Sequence, residues 1–128
     1  MAREIIGAPL EIGGRRLPLS AGVRANGFLF LSGQLGTDAS FRLTGDDVAS
    51  QTRQALENIS SLLATAGATM DDVVKVTAFI TDASLAPAFN AVYAEVFPDD
   101  PPARSTVVCG LLLPGALVEI EAIAAVSE

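Results

Sequence analysis

Residues 44–81 read TGDDVASQTRQALENISSLLATAGATMDDVVKVTAFIT, and this run decides how the chain is built. Thr44 is placed to cap a helix, with Asp47 in the capping-box position. Val48, Ala55, Leu56, Ile59, Leu62 and Leu63 then recur on one helical face, while Arg53, Glu57 and Ser60 fall on another. Gly67 suits the C-terminal cap, and Asp46 and Asp47 favour the positive end of the helix dipole. The spacing then changes from helical to alternating. Val74, Val76, Ala78 and Ile80 lie on one face and Lys75, Thr77 and Phe79 on the other, which predicts a strand over 73–81.

Working outward, Ser84 is placed to cap a second helix with Pro87 in its first turn. Phe89, Val92, Tyr93 and Val96 form its apolar stripe, and Pro98 and Pro101-Pro102 end it. Residues 105–109 read as a strand, 111–115 as a loop and 117–126 as a last long strand. Upstream, residues 3–6 suit a short strand, Gly13-Gly14 a turn, and 17–23 an extended segment. Asn26-Gly27 is a strong turn signal because both positions tolerate positive φ. Phe28 to Leu31 then forms an apolar strand that stops at Ser32-Gly33. The expected order is β-β-β-α-β-α-β-β, an α+β fold occupying residues 1–128 as one domain. Two helices cover one face of a sheet. No third helix is available for the other face, so self-association through that face is expected.

Composition agrees with a packed domain. Half of the 128 residues are hydrophobic and 18% are charged, too rich in core-forming residues for disorder. The mean hydropathy of +0.45 is high for so small a chain and again points to apolar surface reserved for a subunit contact. Eight basic residues stand against fifteen acidic ones, a formal charge of −7. Nucleic-acid binding needs Lys and Arg to displace counterions from phosphates, so no nucleic-acid partner is expected. The apolar stretch 107–126 is broken by Pro114, Gly115, Glu119 and Glu121, which argues against a membrane span. No signal peptide is visible, and the lone Cys109 permits no internal disulfide; a cytoplasmic location is expected. With no histidine in the chain, Ser-His-Asp and Cys-His catalysis and His-based zinc sites are excluded. Chemistry must rest on carboxylates, Arg, Lys, hydroxyls, backbone groups and water.

Several residues are candidates for it, each with a plainer alternative. Arg104 follows Pro101-Pro102-Ala103 at the mouth of a strand, where its planar fork matches a carboxylate; most such arginines are simply surface residues. Glu119 and Glu121 share one face of the last strand. A carboxylate in a half-buried pocket can orient or deprotonate water, although alternation alone fits a solvated strand face. Gly33, after Ser32, either lets backbone approach a ligand or makes a turn. Lys75 is a possible Schiff-base lysine but fits a snorkelling or paired side chain better. Cys109 reads as a core thiol.

Four segments together resemble the RidA/YjgF family, also known as L-PSP endoribonucleases. They are Phe30-Leu31-Ser32-Gly33-Gln34, Asp72-Val73-Val74-Lys75-Val76-Thr77-Ala78-Phe79, Pro102-Ala103-Arg104-Ser105-Thr106-Val107 and Val118-Glu119-Ile120-Glu121-Ala122-Ile123-Ala124. Gln54-Ala55-Leu56-Glu57-Asn58 and Phe89-Asn90-Ala91-Val92-Tyr93 are similar to the family's helices. The resemblance runs over about 17–124.

The resemblance implies a chorismate-mutase-like (YjgF-type) α+β fold, with two helices on one face of the sheet. It implies a homotrimer with a central β-barrel and sites in clefts between subunits. The implied activity is hydrolytic deamination of small 2-imino and enamine acids of the 2-aminoacrylate type to 2-oxo acids and ammonia, without metal or organic cofactor. By resemblance, Arg104 clamps the carboxylate of a small-molecule substrate and Glu119 orients the attacking water. Gly33, Ser32, Thr106 and Asn90 line the pocket. Leu19 stands where the deaminase branch often carries Tyr, which removes a hydrogen-bond donor and favours a larger apolar substrate side chain. Thr106 stands where many members carry Cys. The same scaffold also leaves open a non-catalytic, carboxylate-binding or chaperone-like member and a pathway-specific deaminase of the aminomuconate type. An endoribonuclease fits poorly with the acidic charge and absent histidine.

Overall fold

A computed structural model describes residues 3–126. Its long helix α1 spans Val48–Thr65. The helix begins where Asp47, in extended conformation, accepts a hydrogen bond from the Ser50 amide (2.7 Å). The capping residue is therefore Asp47 and not Thr44. Thr44 is engaged elsewhere: its amide and hydroxyl both donate to the Gly36 carbonyl (3.0 and 3.2 Å), tying the loop before α1 to the preceding strand. The C-terminus is as expected. Gly67 adopts φ 76°, and the Gly67 and Ala68 amides return to Ala64 and Leu63 (3.1 and 3.0 Å), satisfying carbonyls the helix cannot. The Arg24 guanidinium closes the same end on the Ala66 carbonyl (2.6 Å).

Among the described residues, eight strands accompany this helix. The first five are β1 (Glu4–Ile6), β2 (Glu11–Ile12), β3 (Arg15–Arg16), β4 (Gly22–Ala25) and β5 (Phe28–Leu35); β6 (Val73–Ile80), β7 (Ala103–Val108) and β8 (Val118–Ala125) follow α1. The second helix, α2, covers Ala86–Val96. Six strands form one sheet in the order β1-β4-β5-β8-β6-β7, antiparallel except for the β6–β7 pair, while β2 and β3 make a separate hairpin. Both glycine turns behave as read: Gly13 and Gly14 bridge β2 and β3 with positive φ, as Asn26 and Gly27 do between β4 and β5.

Five local expectations are corrected. Five strands, not three, precede α1, because the arms of the Gly13-Gly14 turn pair as the β2–β3 hairpin. Residues 17–21 are loop, and the strand starts only at Gly22. β5 does not stop at Ser32-Gly33 but runs on to Leu35 through a register shift against β8 between Leu31 and Gln34. A second shift, between Val73 and Lys75, buries Val73 and turns Val74 outward, so Val74 leaves the face that Val76, Ala78 and Ile80 share. Ser84 does not cap α2; Asp82 accepts from its amide (2.8 Å) and organises a short 3-10 turn over Ala83–Leu85 instead.

The core lies between one sheet face and the two helices. Leu29, Leu31, Val76, Ala78, Ile80, Val118, Ile120, Ala122 and Ala124 meet Ala55, Leu56, Ile59 and Leu63 of α1 and Phe89, Val92 and Tyr93 of α2. Each large aliphatic buried here contributes about 1.5–3 kcal/mol. The opposite face carries no layer of the described chain: Phe28, Phe30 and Val107 remain 41%, 45% and 42% exposed. The fold is thus α+β with both helices on one side, as expected.

Candidate functional site

Glu119 projects from the uncovered face of β8, since its neighbours Val118 and Ile120 are fully buried on the other. It is registered between Leu35 of β5 and Phe79 of β6. The irregular stretch of β5 passes beside it. A Cβ on Gly33 would collide with a Glu119 carboxylate oxygen and stand 3.0 Å from its Cδ, so the carboxylate lies directly against the Gly33 backbone. Close approach, not a turn, is what glycine provides here. Ser32 is fixed alongside: its amide donates to the Ala21 carbonyl (2.8 Å) and its hydroxyl to the Ser20 carbonyl (2.6 Å). Above these groups opens a cleft of ≈ 510 Å³, walled by Leu19, Leu35, Phe41 and Leu112 with Glu119, Gly33 and Ser32 at its polar end. Burial, reinforced by the neighbouring charge of Glu121, holds the Glu119 carboxyl above the usual carboxylate range. A carboxylate raised in this way is a better proton acceptor than an exposed one.

Arg104 sits elsewhere. It lies on the edge strand β7, opposite Val76 in the register, and so points to the helical side. Its guanidinium carbon stacks 4.6 Å from the Tyr93 ring and 5.3 Å from the Phe89 ring. Phe89 and Tyr93 are one helical turn apart, with centroids 5.6 Å from each other and planes tilted by 36°, and together make an aromatic floor that attracts the guanidinium charge. Among the described residues no carboxylate pairs with Arg104, so its hydrogen-bonding fork remains available to an anion. Burial raises the Tyr93 phenol, and the Arg104 charge works against that rise. Thr106, two residues along β7, shares the Arg104 face, and Asn90 is exposed on α2 next to Phe89. Lys75 donates to the Ser105 hydroxyl (3.0 Å), the paired reading of that lysine.

The seven residues to which the resemblance assigns a site therefore form two groups. Leu19, Ser32, Gly33 and Glu119 share the cleft. Arg104 and Thr106 share one face of the edge strand β7, and Asn90 follows in sequence the Phe89 that Arg104 overlies. The groups lie on opposite faces of the sheet, because Arg104 belongs to the Val76–Ala122 row and Glu119 to the Phe79 row. One chain does not bring Arg104 and Glu119 together. The aromatic floor was not foreseen; Phe89 and Tyr93 read only as core stripe, although aromatics at this spacing ahead of an isolated Arg were the available signal. Among the described residues, no cluster of three or more His, Cys, Asp or Glu side chains suits a metal ion, and no helix is long and apolar enough to cross a membrane.

A family model described as Endoribonuclease L-PSP matches residues 14–126. Among solved structures, a Yersinia pestis protein of the conserved Rid family, YyfA, is 42% identical with a TM-score of 0.85, covering 98% of this chain and 100% of that one. RidA from an Antarctic Psychrobacter is 31% identical with a TM-score of 0.85, covering 96% and 99%. A Mycobacterium tuberculosis member of the YjgF/YER057c/UK114 family is 35% identical with a TM-score of 0.80, covering 98% and 100%. The chain belongs to the RidA/YjgF (L-PSP) family. The segments that carry the RidA/YjgF resemblance are the strands that build both groups: β5 supplies Ser32 and Gly33, β7 Arg104 and Thr106, and β8 Glu119. Leu19 falls in the cleft wall, where its side chain is half exposed beside Ser32. Thr106 falls on the edge strand.

Proposed function

We propose that this protein hydrolyses 2-imino and enamine acids to 2-oxo acids and ammonia, at a site that two copies of the chain complete together. The observation that carries this reading is the separation of an anion-ready arginine from a proton-accepting carboxylate. Among the described residues, each lacks the partner that the chemistry requires. A homotrimer in which the uncovered sheet faces meet would set the Arg104 edge of one copy against the Glu119 cleft of the next. The half-exposed Phe28, Phe30 and Val107 on that face and the unpaired edge of β7 support such an assembly.

Arg104, held over Tyr93 and Phe89, binds the substrate carboxylate bidentately. The adjoining imine carbon is then placed over Glu119. Water adds its oxygen to that carbon while the C=N π pair moves to nitrogen, and Glu119 takes the water proton, leaving a neutral carbinolamine from the iminium form. Glu119 then returns its proton to the carbinolamine nitrogen, the C–N bond breaks as the hydroxyl oxygen forms the C=O bond, ammonia leaves, and the hydroxyl proton passes back to Glu119, which gives it up to the ammonia. An iminium carbon is electrophilic enough to need neither a metal nor a stronger nucleophile, so orientation is the main contribution. RNA cleavage, suggested by the family description, is disfavoured by the net charge of −7, which repels phosphates.

The test is a coupled assay. An amino acid oxidase generates imines from several amino acids, and semicarbazide competes to trap them. Wild type is expected to divert the imine to 2-oxo acid. Arg104→Ala is expected to lose about 10²-fold in kcat/KM, from removal of a charge-assisted bidentate contact. Full activity in that variant, or no acceleration by wild type with any imine, overturns the reading.

A further inference from the structure

The loop between β5 and α1 holds a large aromatic residue in a backbone conformation that aromatics avoid. Phe41 has φ 61°, in the left-handed region where a bulky side chain is an outlier and Gly or Asn is the usual occupant. Such a conformation persists only where its surroundings over-determine it, and here they do. The Asp38 carboxylate accepts from the Ser40 and Arg42 amides (2.8 and 3.1 Å), the Asp38 amide donates to the Arg42 carbonyl (2.9 Å), and the Phe41 amide returns to the Asp38 carbonyl (3.0 Å). Thr37 and Leu43 pair across the base of the loop. The Asn58 amide, reaching from α1, clamps the Leu35 and Thr37 carbonyls (3.1 and 3.0 Å). A rigid loop thus presents one ring, 37% exposed, into the cleft whose polar end is Glu119 and Gly33.

Apart from Ser32 and Thr37, the rest of the cleft wall is aliphatic. Leu19 and Leu112 stand in it with large exposed surfaces. Glycine at position 41 would relieve the backbone and leave the loop's hydrogen bonds intact, so the ring itself is what the strained position supplies. Its apolar company shares one concave cleft of ≈ 510 Å³ with the Glu119 carboxylate, a size that fits a small ligand. From this we infer that Phe41 is a specificity-determining residue which, with Leu19 and Leu112, receives the side chain of a large apolar 2-imino acid, branched aliphatic or aromatic, in preference to 2-aminoacrylate. This deepens the proposed function and rests on it for the identity of the reacting group. The side chain lies in one copy's cleft while the carboxylate is held by the Arg104 of another.

The experiment compares wild type with Phe41→Gly, which the left-handed backbone accepts. Calorimetric titration with pyruvate, 4-methyl-2-oxopentanoate and phenylpyruvate reads side-chain binding without turnover. The imines derived from alanine, leucine and phenylalanine are assayed in parallel. Wild type is expected to bind 4-methyl-2-oxopentanoate about tenfold or more tighter than pyruvate, the worth of a few buried methylenes. Phe41→Gly is expected to collapse that ratio towards one, with an unchanged sedimentation coefficient. Equal wild-type affinities, no measurable binding of any acid, a ratio untouched by Phe41→Gly, or a changed assembly state each overturn the inference; the last would make Phe41 a contact between copies. Size-selective binding without imine hydrolysis sinks the deaminase reading and leaves the pocket standing. Hydrolysis without size selectivity does the reverse.

Discussion

Glu119 is a carboxylate whose surroundings work against its charge. Burial and the Glu121 charge both raise it, whereas the exposed Asp38, Asp47 and Asp82 are lowered by the amides and hydroxyls they accept from. Two consequences follow from the direction. As a base, Glu119 works deprotonated, so activity should fall as pH drops, with a midpoint above the ordinary carboxylate value. Glu119→Gln should lose about 10²-fold in kcat and abolish that acid limb, which a pH–rate profile reads directly. For stability, the folded-state value lies above the unfolded one. The ionised carboxylate therefore costs stability at pH above its folded value, and the cost disappears below the unfolded value. Glu119→Gln should melt higher than wild type at pH 7 to 8, and the gain should vanish as pH approaches the ordinary carboxylate range of about 4.3. A gain that persists there would mean that the charge is not its source. The alternation of β8 already placed Glu119 and Glu121 on one face. That Gly33 runs beneath the carboxylate was not legible, because the contact joins two strands far apart in sequence.

At the scale of elements, α1 does more than cover the core. Its buried Gln51 donates to the Gly45 and Gly115 carbonyls (3.0 and 3.1 Å) and accepts from the Leu117 amide (2.7 Å), joining the loop before α1 to the entry of β8. Asn58 does the same for the end of β5, with Gln54 donating to its side-chain oxygen (2.8 Å). Gly36 lets β5 and α1 approach so closely that a Cβ there would stand 2.5 Å from the Gln51 Cα. These contacts set the loop that carries Phe41 and the strand that carries Glu119. Gln51→Leu keeps the size but strands three backbone groups in a buried place, at a cost of about 3 kcal/mol. Calorimetry should show a melting point lower by roughly 10 °C; a change within one or two degrees would mean that water replaces the amide. The apolar face of α1 was readable from its period. Its polar seam was not, since Gln51 and Asn58 look like solvent-facing residues until the loops they hold are known. The displaced N-terminus has the same cause: Thr44 is a sound cap by local rules, but its hydroxyl is already committed to Gly36.

At the scale of the molecule, the proposed trimer makes a prediction that no single-chain site shares. Arg104→Ala and Glu119→Gln are each expected to retain only about one hundredth of wild-type activity. Dissociating and reassociating an equal mixture should restore about one quarter of wild-type activity, because a quarter of the contacts in a random cyclic assembly join an intact Arg104 to an intact Glu119. No recovery, with mixed assemblies demonstrated by mass spectrometry, would place both groups' partners within one chain. The sequence by itself determined the α+β class, the helix–strand alternation and the uncovered sheet face, together with its candidate polar residues. Periodicity and turn chemistry are local, and each is written in neighbouring residues. Tertiary structure alone decided that Arg104 rests on Phe89 and Tyr93, that Glu119 lies against Gly33, and that the two charged groups face opposite ways. Those facts depend on strand order and register, which are settled by packing between segments dozens of residues apart.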